Sequence, residues 1–253
     1  PVLETIFRSI FGECPYKSPT DMGVNMAGFA ICDDDACREA SYQEIIRRYF
    51  ASACAVKKGV AMPEELRKQE MLMNSLHLDV SMRKTVPAAR AKAAETGAPA
   101  AAIELPDGTV VTGKNGPLLG AASSALLNAL KKLAGIDHEI DLVSARAIEP
   151  IQTLKTNYLG SRNPRLHTDE ILIALSSSAA ENETAAVALQ QLSKLKGCDM
   201  HSTVILSSVD TDTIKRLGMY LTCEPAYEQE DRKYHMLKAE ADAGFYAPGP
   251  FKE

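Results

Sequence analysis

The 253-residue sequence has no long hydrophobic run, and this absence excludes one class of protein at the outset. The longest uninterrupted aliphatic stretch spans only residues 171–175. A membrane-spanning helix needs about 20 consecutive apolar residues, so none is expected. With 45% hydrophobic and 24% charged residues, the composition is that of a globular chain rather than of a disordered or fibrous one.

An excess of charge of one sign is also lacking. The 28 basic and 33 acidic residues give a net charge of −5, so no overall field attracts nucleic acid or a membrane, and any anion site must be local. The six cysteines form no Cys-x-x-Cys pair, which favours a reduced, cytoplasmic location. Because the chain begins at Pro1 rather than at Met, we expect a fragment or one chain of a larger protein.

Apolar periodicity predicts a helical N-terminal subdomain followed by an α/β layered domain. The helical part contains a possible capping box at Ser41 and Glu44, and an alanine-rich connecting helix, residues 87–96, that Gly97 ends. A charged tail that turns rich in Gly and Pro is expected to pack on the surface or on a partner. The predicted units are residues 1–98, residues 99–227 and the tail, residues 228–253.

The α/β domain is predicted from a change of period. A Pro-Asp-Gly turn at residues 106–108 separates two strand-like runs, which indicates a hairpin. A strong helix pattern follows from Ala121 to Ala134 and ends at Gly135. Further helices are expected to begin near Pro150, Thr168 and Glu183 and at a cap formed by Asp210, and strands are expected at residues 203–206 and 219–223.

A glycine-containing loop precedes the helix predicted at residues 121–134. Glycines let backbone amides turn inward, and a helix start adds unpaired N–H groups with a partial positive charge, so an anion could bind there. The loop matches neither the phosphate-binding loop pattern nor the dinucleotide fingerprint, and the alternative is a tightly packed β-to-α connection. The candidate anion-binding residues are Gly113, Lys114, Asn115, Gly116, Ser123 and Ser124.

A polar loop around His167 carries residue types that suit catalysis. His167 could transfer a proton near neutral pH, Asp169 could orient it, and Arg162 or Arg165 could hold a phosphate or a carboxylate. A cap at Thr168 with acidic residues in the first helical turn explains part of the pattern structurally. Capping does not explain two arginines and a histidine together, so His167 and Asp169 are candidate catalytic residues and Arg165 a candidate anion ligand.

Two other stretches contain candidates. Cys198 and His201 could be metal ligands or a nucleophile with its base, but a buried cysteine near a hydrogen-bonded histidine is commoner, and we predict no metal site. An irregular stretch before three consecutive acids, residues 33–35, could form a site between domains or be only a connection. Its candidate residues are Lys17, Thr20, Asp21 and Asn25.

Together these stretches resemble a bacterial family known as uncharacterised protein family 0371, or domain of unknown function 1846. The resemblance spans nearly the whole chain. It is carried by YKSPTDMGVNMAG at residues 16–28, QEIIRRY at 43–49, LPDG at 105–108, NPRLHTDE at 163–170, and GC and HST within 197–203.

The resemblance implies that this chain is the C-terminal half of a longer protein. Members resemble a Rossmann-like α/β domain followed by a helical region and a second α/β domain. Their N-terminal half carries a Gly-Ser-Gly-Lys run similar to a phosphate-binding loop, which is absent here. No cofactor is therefore assigned, and the N-terminal half is expected to be a missing partner.

Two functions from different classes fit these observations. In the first, the protein is an enzyme that handles a nucleotide or a phosphorylated metabolite, in which Lys114 and Arg165 hold anionic oxygens and His167 is the acid or base. In the second, it is a non-catalytic module that forms a homo-oligomer or covers another domain through the helix at residues 121–134 and the tail. A cysteine hydrolase is a weaker third. Side chains of Lys114, Arg165 and His167 in one cleft would favour the enzyme.

Overall fold

The computed structural model describes residues 2–14 and 34–228, which contain helices around one sheet, the α/β fold that was predicted. The helices are α1 (Val2–Phe11), α2 (Asp34–Lys57), α3 (Pro63–Ser75), α4 (Thr85–Thr96), α5 (Ala121–Ala134), α6 (Ala145–Thr153), α7 (Thr168–Ser178), α8 (Glu183–Gln190) and α9 (Ser208–Arg216). The strands are β1 (Ala100–Glu104), β2 (Val110–Lys114), β3 (Asp199–Ser202) and β4 (Tyr220–Cys223). Short 3₁₀ segments occupy Val80–Met82 and Gln191–Leu195, and a π-helical segment occupies Leu154–Tyr158.

The four strands lie in the order β2-β1-β3-β4. β1 is antiparallel to both of its neighbours, whereas β3 and β4 are parallel, so β2, β3 and β4 all run in the same direction. Their last residues meet at one edge, because Lys114 pairs with Ala100, and Ser202 pairs with both Ala101 and Cys223. The loops that leave these three strands therefore begin side by side.

The predicted hairpin is confirmed. The Asp107 carboxylate accepts a hydrogen bond from the Thr109 amide at 2.9 Å, and Gly108 adopts a left-handed φ of +80° that a side chain would disfavour. These local contacts explain why the turn is visible in the sequence alone.

α5 covers one face of β1 and β2 and lies in the larger hydrophobic core. A Cβ atom on Gly113 would lie 2.1 Å from the backbone nitrogen of Ala125, so the strand and the helix approach closely only because this residue is glycine. The helix ends at Gly135, whose φ is +67°, as predicted. Its apolar side chains are buried within the chain, so the expectation that this helix forms a subunit contact is wrong.

The opposite face of the sheet is covered by α2 and α4. The rings of Phe50 and His201 lie with their centroids 4.9 Å apart. Arg83 is only 1% exposed and pairs with Asp199 at 2.7 Å, and its Nε donates to Thr222 Oγ1 at 3.1 Å. A buried ion pair thus attaches the N-terminal helices to the sheet. The alanine-rich helix, α4, ends at Gly97 as predicted.

One strand was predicted in the wrong place. The aliphatic run at residues 203–206 lies in a loop, and the strand is β3, four residues earlier. β3 reads as polar, but its groups find partners in the fold: His201 Nδ1 lies 2.9 Å from Thr222 Oγ1 on β4. Partners that are distant in sequence make a polar strand stable, and the local pattern does not reveal them.

Some predicted helix starts and caps are wrong and others are correct. Ser41 lies inside α2, where its hydroxyl donates to the Cys37 carbonyl at 2.8 Å, so there is no capping box. α6 begins five residues before Pro150. The helix predicted to begin at Glu183 does so, but its last part is 3₁₀. α7 begins at Thr168 as predicted, but its N-cap is His167, and the N-cap of α9 is Ser207, three residues before the predicted Asp210.

None of the helices within residues 2–14 and 34–228 combines the length and the apolarity required to cross a bilayer.

Candidate functional site

Three helices begin around one small hollow at the edge where β2, β3 and β4 end. The hollow has a volume of about 60 Å³, and residues from the starts of α5, α7 and α9 line it. A helix start carries a partial positive charge and N–H groups that need acceptors. At α7 and α9 side chains already meet part of this need, because the Thr168 amide donates to Asp210 and the Asp210 amide donates to Ser207 Oγ.

The start of α5 supplies backbone donors to this hollow. The Ala121 amide donates to Asn115 Oδ1 at 2.6 Å, which caps the helix. The Ser123 hydroxyl donates to the Leu166 carbonyl at 3.0 Å and fixes the neighbouring loop. The backbone amides of Ala122 and Ser123 have no hydrogen-bond acceptor within the described residues. Two N–H groups are therefore available where an anion could sit.

His167 and Asp210 form the acid–base pair of the hollow. His167 Nδ1 lies 2.9 Å from Asp210 Oδ2, which also accepts a hydrogen bond from the Ser207 hydroxyl at 2.8 Å. The other carboxylate oxygen accepts from the Thr168 amide at 2.8 Å. Asp210 is thus held by three donors, and its orientation fixes the imidazole ring.

The pair is polarised towards an imidazolium and a carboxylate. The hydrogen bond with Asp210 raises the pKa of His167 above its usual 6.5, although burial opposes the shift. Burial favours the neutral acid at Asp210, but its hydrogen bonds with His167, Thr168 and Ser207 outweigh burial and lower its pKa below 3.8. Since Nδ1 is engaged, Nε2 is the nitrogen that can exchange a proton with a ligand; it makes no hydrogen bond within the described residues.

Arg165 lines the same hollow. Its Nε donates to the Gly116 carbonyl at 2.9 Å, and one terminal nitrogen pairs with Glu228 Oε1 at 2.9 Å. A guanidinium held in this way is a suitable ligand for phosphate or carboxylate oxygens. Glu228 also lines the hollow, so an incoming anion would compete with its carboxylate.

The structure brings together four of the predicted residues, Asn115, Ser123, Arg165 and His167, at this hollow. None of the other predicted residues that the structure describes lines it. Gly113 serves close packing, and Ser124 lies one residue further along α5. Gly116 contributes its carbonyl to Arg165, and Lys114 is exposed at the end of β2.

Asp169 does not orient His167. Its carboxylate accepts a hydrogen bond from the Glu170 amide at 2.8 Å, within the first turn of α7. The orienting residue is Asp210, 43 positions after His167, and sequence reasoning assigned it only to capping. The spacing Ser207-x-x-Asp210 indicates a helix start, but nothing in it indicates a histidine partner.

Cys198 and His201 do not form a pair. Cys198 lies in the core on the α5 side, whereas His201 contacts Phe50 on the opposite face. Burial raises the pKa of the Cys198 thiol, which makes it a poor nucleophile. In the described ranges no three His, Cys, Asp or Glu side chains are grouped as a metal site requires. The candidates Lys17, Thr20, Asp21 and Asn25 lie outside the described residues.

Comparison with protein families gives matches along most of the chain. Residues 81–233 match the model described as domain of unknown function DUF1846, C-terminal, and residues 1–77 match the N-terminal one. The chain belongs to the DUF1846 family. All residues of the hollow lie within the C-terminal match.

Curated relatives agree with this assignment. A "UPF0371 protein" of Corynebacterium aurimucosum is 51% identical over 92% of this chain and 47% of its own length. Another from Streptococcus thermophilus is 51% identical over the same shares of the two chains. A third, from Corynebacterium efficiens, is 52% identical over 91% of this chain and 46% of its own length. The chain thus spans about half the length of the curated relatives it matches.

The family match corrects one expectation. The chain was expected to hold only the C-terminal half of the family protein, with the N-terminal half as a missing partner. That expectation is wrong, because residues 1–77 match the family's N-terminal model.

Proposed function

We propose that this DUF1846 chain forms the site of an acid–base enzyme that acts on a small phosphorylated metabolite or a nucleotide. The observation that carries the proposal is the lining of one hollow by Ala122, Ser123, Arg165 and His167. Two unpaired backbone amides and a guanidinium are anion ligands, and a histidine held by a carboxylate is a proton carrier.

The hollow suits the anionic group of a substrate rather than a whole metabolite. Its volume is only about 60 Å³. We expect a phosphate group to occupy it and the rest of the substrate to lie outside the hollow. The amides of α5 and the Arg165 guanidinium would neutralise its charge.

His167 would transfer a proton through Nε2. Asp210 holds the proton of Nδ1 in place, so the neutral ring presents a bare Nε2 as a base, and the charged ring presents Nε2–H as an acid. An anion bound beside the ring favours the charged form, because opposite charges attract. The site would therefore act first as an acid, giving a proton to a leaving or bridging oxygen.

Inorganic phosphate is the direct probe of the binding part of the proposal. Titration followed by calorimetry should show saturable binding, and phosphate should raise the melting temperature. Arg165→Ala should weaken the affinity by at least about tenfold, since it removes a charge-assisted contact worth about 1.5–3 kcal/mol. The matched control is Lys114→Ala, which removes a cation outside the hollow and should leave the affinity within about twofold. Binding that Arg165→Ala does not weaken would contradict the proposal.

The catalytic part requires a separate variant. Phosphate esters and nucleotides that raise the melting temperature are assayed for turnover with the wild-type protein and with His167→Gln. Glutamine keeps a polar side chain but cannot carry the proton, so turnover should fall by about 10²- to 10⁴-fold while phosphate still binds. Equal turnover by the two proteins would remove His167 from the reaction.

A contact module remains the second candidate, because one observation favours it. The π-helical segment exposes Leu154, Tyr158 and the adjoining Leu159, which are 51%, 78% and 72% exposed. Exposed apolar side chains that are grouped together often mark a protein contact. Light scattering on the wild type and on Tyr158→Ser tests this: a homo-oligomer that the substitution dissociates supports a contact role, and a wild-type monomer removes it.

A further inference from the structure

One buried cation lies behind the hollow without lining it. Lys155, in the π-helical segment Leu154–Tyr158, is 6% exposed and is the one residue of that segment that is buried. Its neighbours Leu154 and Tyr158 face solvent. A lysine inside and apolar side chains outside reverse the usual arrangement, and such a cation is stable only if hydrogen bonds and an opposite charge replace its water.

Lys155 is hydrogen-bonded to the segment that carries Arg165 and His167 and to the first turn of α7. Its Nζ donates to the Arg165 carbonyl at 2.7 Å and to Glu170 Oε2, also at 2.7 Å. The same Glu170 oxygen accepts a hydrogen bond from the His167 amide at 2.7 Å. One ammonium group therefore fixes the backbone at Arg165 directly and at His167 through one carboxylate.

The residue between them is fixed from the other side. The Leu166 amide donates to the Leu118 carbonyl at 2.9 Å, and the Leu166 carbonyl accepts from the Ser123 hydroxyl at 3.0 Å. Leu166 itself is 1% exposed. The tripeptide 165–167 is thus held against the start of α5 by Leu166 and against the π-helical segment by Lys155.

We infer that Lys155 is a positioning residue for the site, which acts through Glu170 and the Arg165 carbonyl to hold the guanidinium and the imidazole over the start of α5. This inference rests on the proposed function for what the loop is positioned to do. π-helical turns inside helical segments occur often at functional sites, and here the turn places the lysine beneath the loop.

The pKa of the His167 ring distinguishes a positioning role of Lys155 from a purely electrostatic one. The groups that act on the ring are Asp210 of α9, the α9 N-cap Ser207, Glu170 of α7 and Lys155 of the π-helical segment. The Asp210 hydrogen bond raises this pKa, and the charge of Lys155 lowers it. If Lys155 contributed only charge, its removal would raise the pKa. If it holds the ring against Asp210, its removal loosens that hydrogen bond and lowers the pKa.

The experiment follows the ring of His167 by NMR titration in the wild type, in Lys155→Met and in the control Lys84→Met. The control removes another lysine that pairs with a glutamate at 2.6 Å, Glu104, but is exposed and away from the hollow. The Lys155 variant should lower the His167 pKa and weaken phosphate binding by about tenfold, as loss of a supporting contact does. The control should change neither.

A double variant keeps the test valid if Lys155→Met does not fold. Lys155→Met with Glu170→Met removes both charges and leaves no unpaired buried carboxylate. Because the two charges act on the His167 pKa in opposite directions, the remaining shift reports the position of the ring. A folded variant with an unchanged or raised His167 pKa and wild-type phosphate affinity would overturn the inference. Absence of phosphate binding by the wild type would refute the proposed function instead, and the direction of the pKa shift would still decide the role of Lys155.

Discussion

Two histidines of this protein are each paired with a carboxylate, yet their pKa values move in opposite directions. His167 at the hollow lies 2.9 Å from Asp210, and that hydrogen bond raises its pKa. His201 lies 3.3 Å from Glu224 beneath α2, and burial lowers its pKa although the carboxylate opposes the shift. The His167 side chain is 24% exposed and that of His201 is fully buried.

A carboxylate partner therefore does not by itself determine whether the pKa of a histidine is raised or lowered. Glu224 is shared, because its Oε1 also accepts a hydrogen bond from Arg90 Nε at 2.7 Å. Asp210 is shared as well, because it also accepts hydrogen bonds from Thr168 and Ser207. The difference lies in the rings: both nitrogens of His201 have hydrogen-bond partners, whereas within the described residues only Nδ1 of His167 has one. His201 therefore holds the sheet and α2 together, and we propose Nε2 of His167 as the nitrogen that meets a ligand.

The largest loss of stability is expected from replacing His201, the histidine that is fully buried. His201→Ala leaves a cavity beside Phe50 and removes the partner of Thr222 and Glu224, so we expect unfolding free energy to fall by about 3 kcal/mol. Chemical denaturation measures the change. Phosphate affinity of the folded variant should stay within about twofold. A stable variant that has lost phosphate binding would reverse the roles assigned to the two histidines.

The next effect concerns the partner of His167. Asp210→Asn should lower the unfolding free energy by about 2 kcal/mol at pH 5–6, because a hydrogen-bonded charged pair is lost. The raised pKa of His167 contributes stability that is complete below pH 6.5 and is lost as pH rises through its folded value. The lowered pKa of Asp210 contributes stability above pH 3.8, lost as pH falls through its folded value. The cost should therefore shrink at alkaline pH, as denaturation at several pH values would show; a cost that grows with pH contradicts the pairing.

Lowering the pH should change the contribution of His201 to stability in the opposite direction to that of His167. Its lowered pKa means that the unfolded chain binds a proton below pH 6.5 that the folded chain takes up less readily, so its contribution favours unfolding as pH falls through that value. His201→Gln should remove this part of the acid sensitivity and His167→Gln should not. Parallel denaturation curves at pH 5 and pH 7.5 compare the two variants, and an equal acid response in both would contradict the difference between the sites.

A smaller effect is expected at the ion pair that faces the hollow. Glu228→Gln removes one carboxylate that pairs with Arg165, so phosphate should bind up to about fivefold more tightly, equivalent to about 1 kcal/mol. Calorimetry measures the affinity. The control is Glu104→Gln, which removes a paired carboxylate elsewhere. Weaker phosphate binding by Glu228→Gln would show that this carboxylate supports the site rather than competes in it.

The smallest effect separates the two aspartates near His167. Asp169→Asn keeps an acceptor for the Glu170 amide, so stability should change by less than about 0.5 kcal/mol and the His167 pKa should stay as in the wild type. NMR titration of the ring measures this beside Asp210→Asn, which should lower the pKa. A large shift from Asp169→Asn alone would restore the orienting role predicted for it from the sequence.

Features with local causes could be predicted from the sequence. The Pro-Asp-Gly turn and the helix that ends at Gly135 depend on a few adjacent residues, and both are correct. The loop with Arg165 and His167 was recognised because capping does not require those residue types. It lies beside the start of α5, since Leu119 and Leu166 form a parallel bridge. Of the three side chains that the enzyme hypothesis placed in one cleft, Arg165 and His167 line the hollow and Lys114 does not.

Features that depend on distant partners could not be predicted. Asp210 reaches His167 only because α9 starts beside α7, and the polar strand β3 is stable only because Thr222 and Arg83 meet its groups. Lys114 was assigned to the loop although it ends a strand. Side chains alternate between the two faces of a sheet along a strand. Because Gly113 contacts α5 on one face, the next residue, Lys114, belongs to the opposite face of the sheet.

Amide NMR during a phosphate titration is the sharpest test of the proposal that an anion binds at the start of α5 beside His167. We expect the amide signals of Ala122 and Ser123 to shift together with those of the His167 ring, with one dissociation constant, and we expect Arg165→Ala to weaken all three responses alike. The proposal would be contradicted if phosphate bound without shifting the amide signals of Ala122 and Ser123. It would also be contradicted if Arg165→Ala left those shifts and their dissociation constant unchanged.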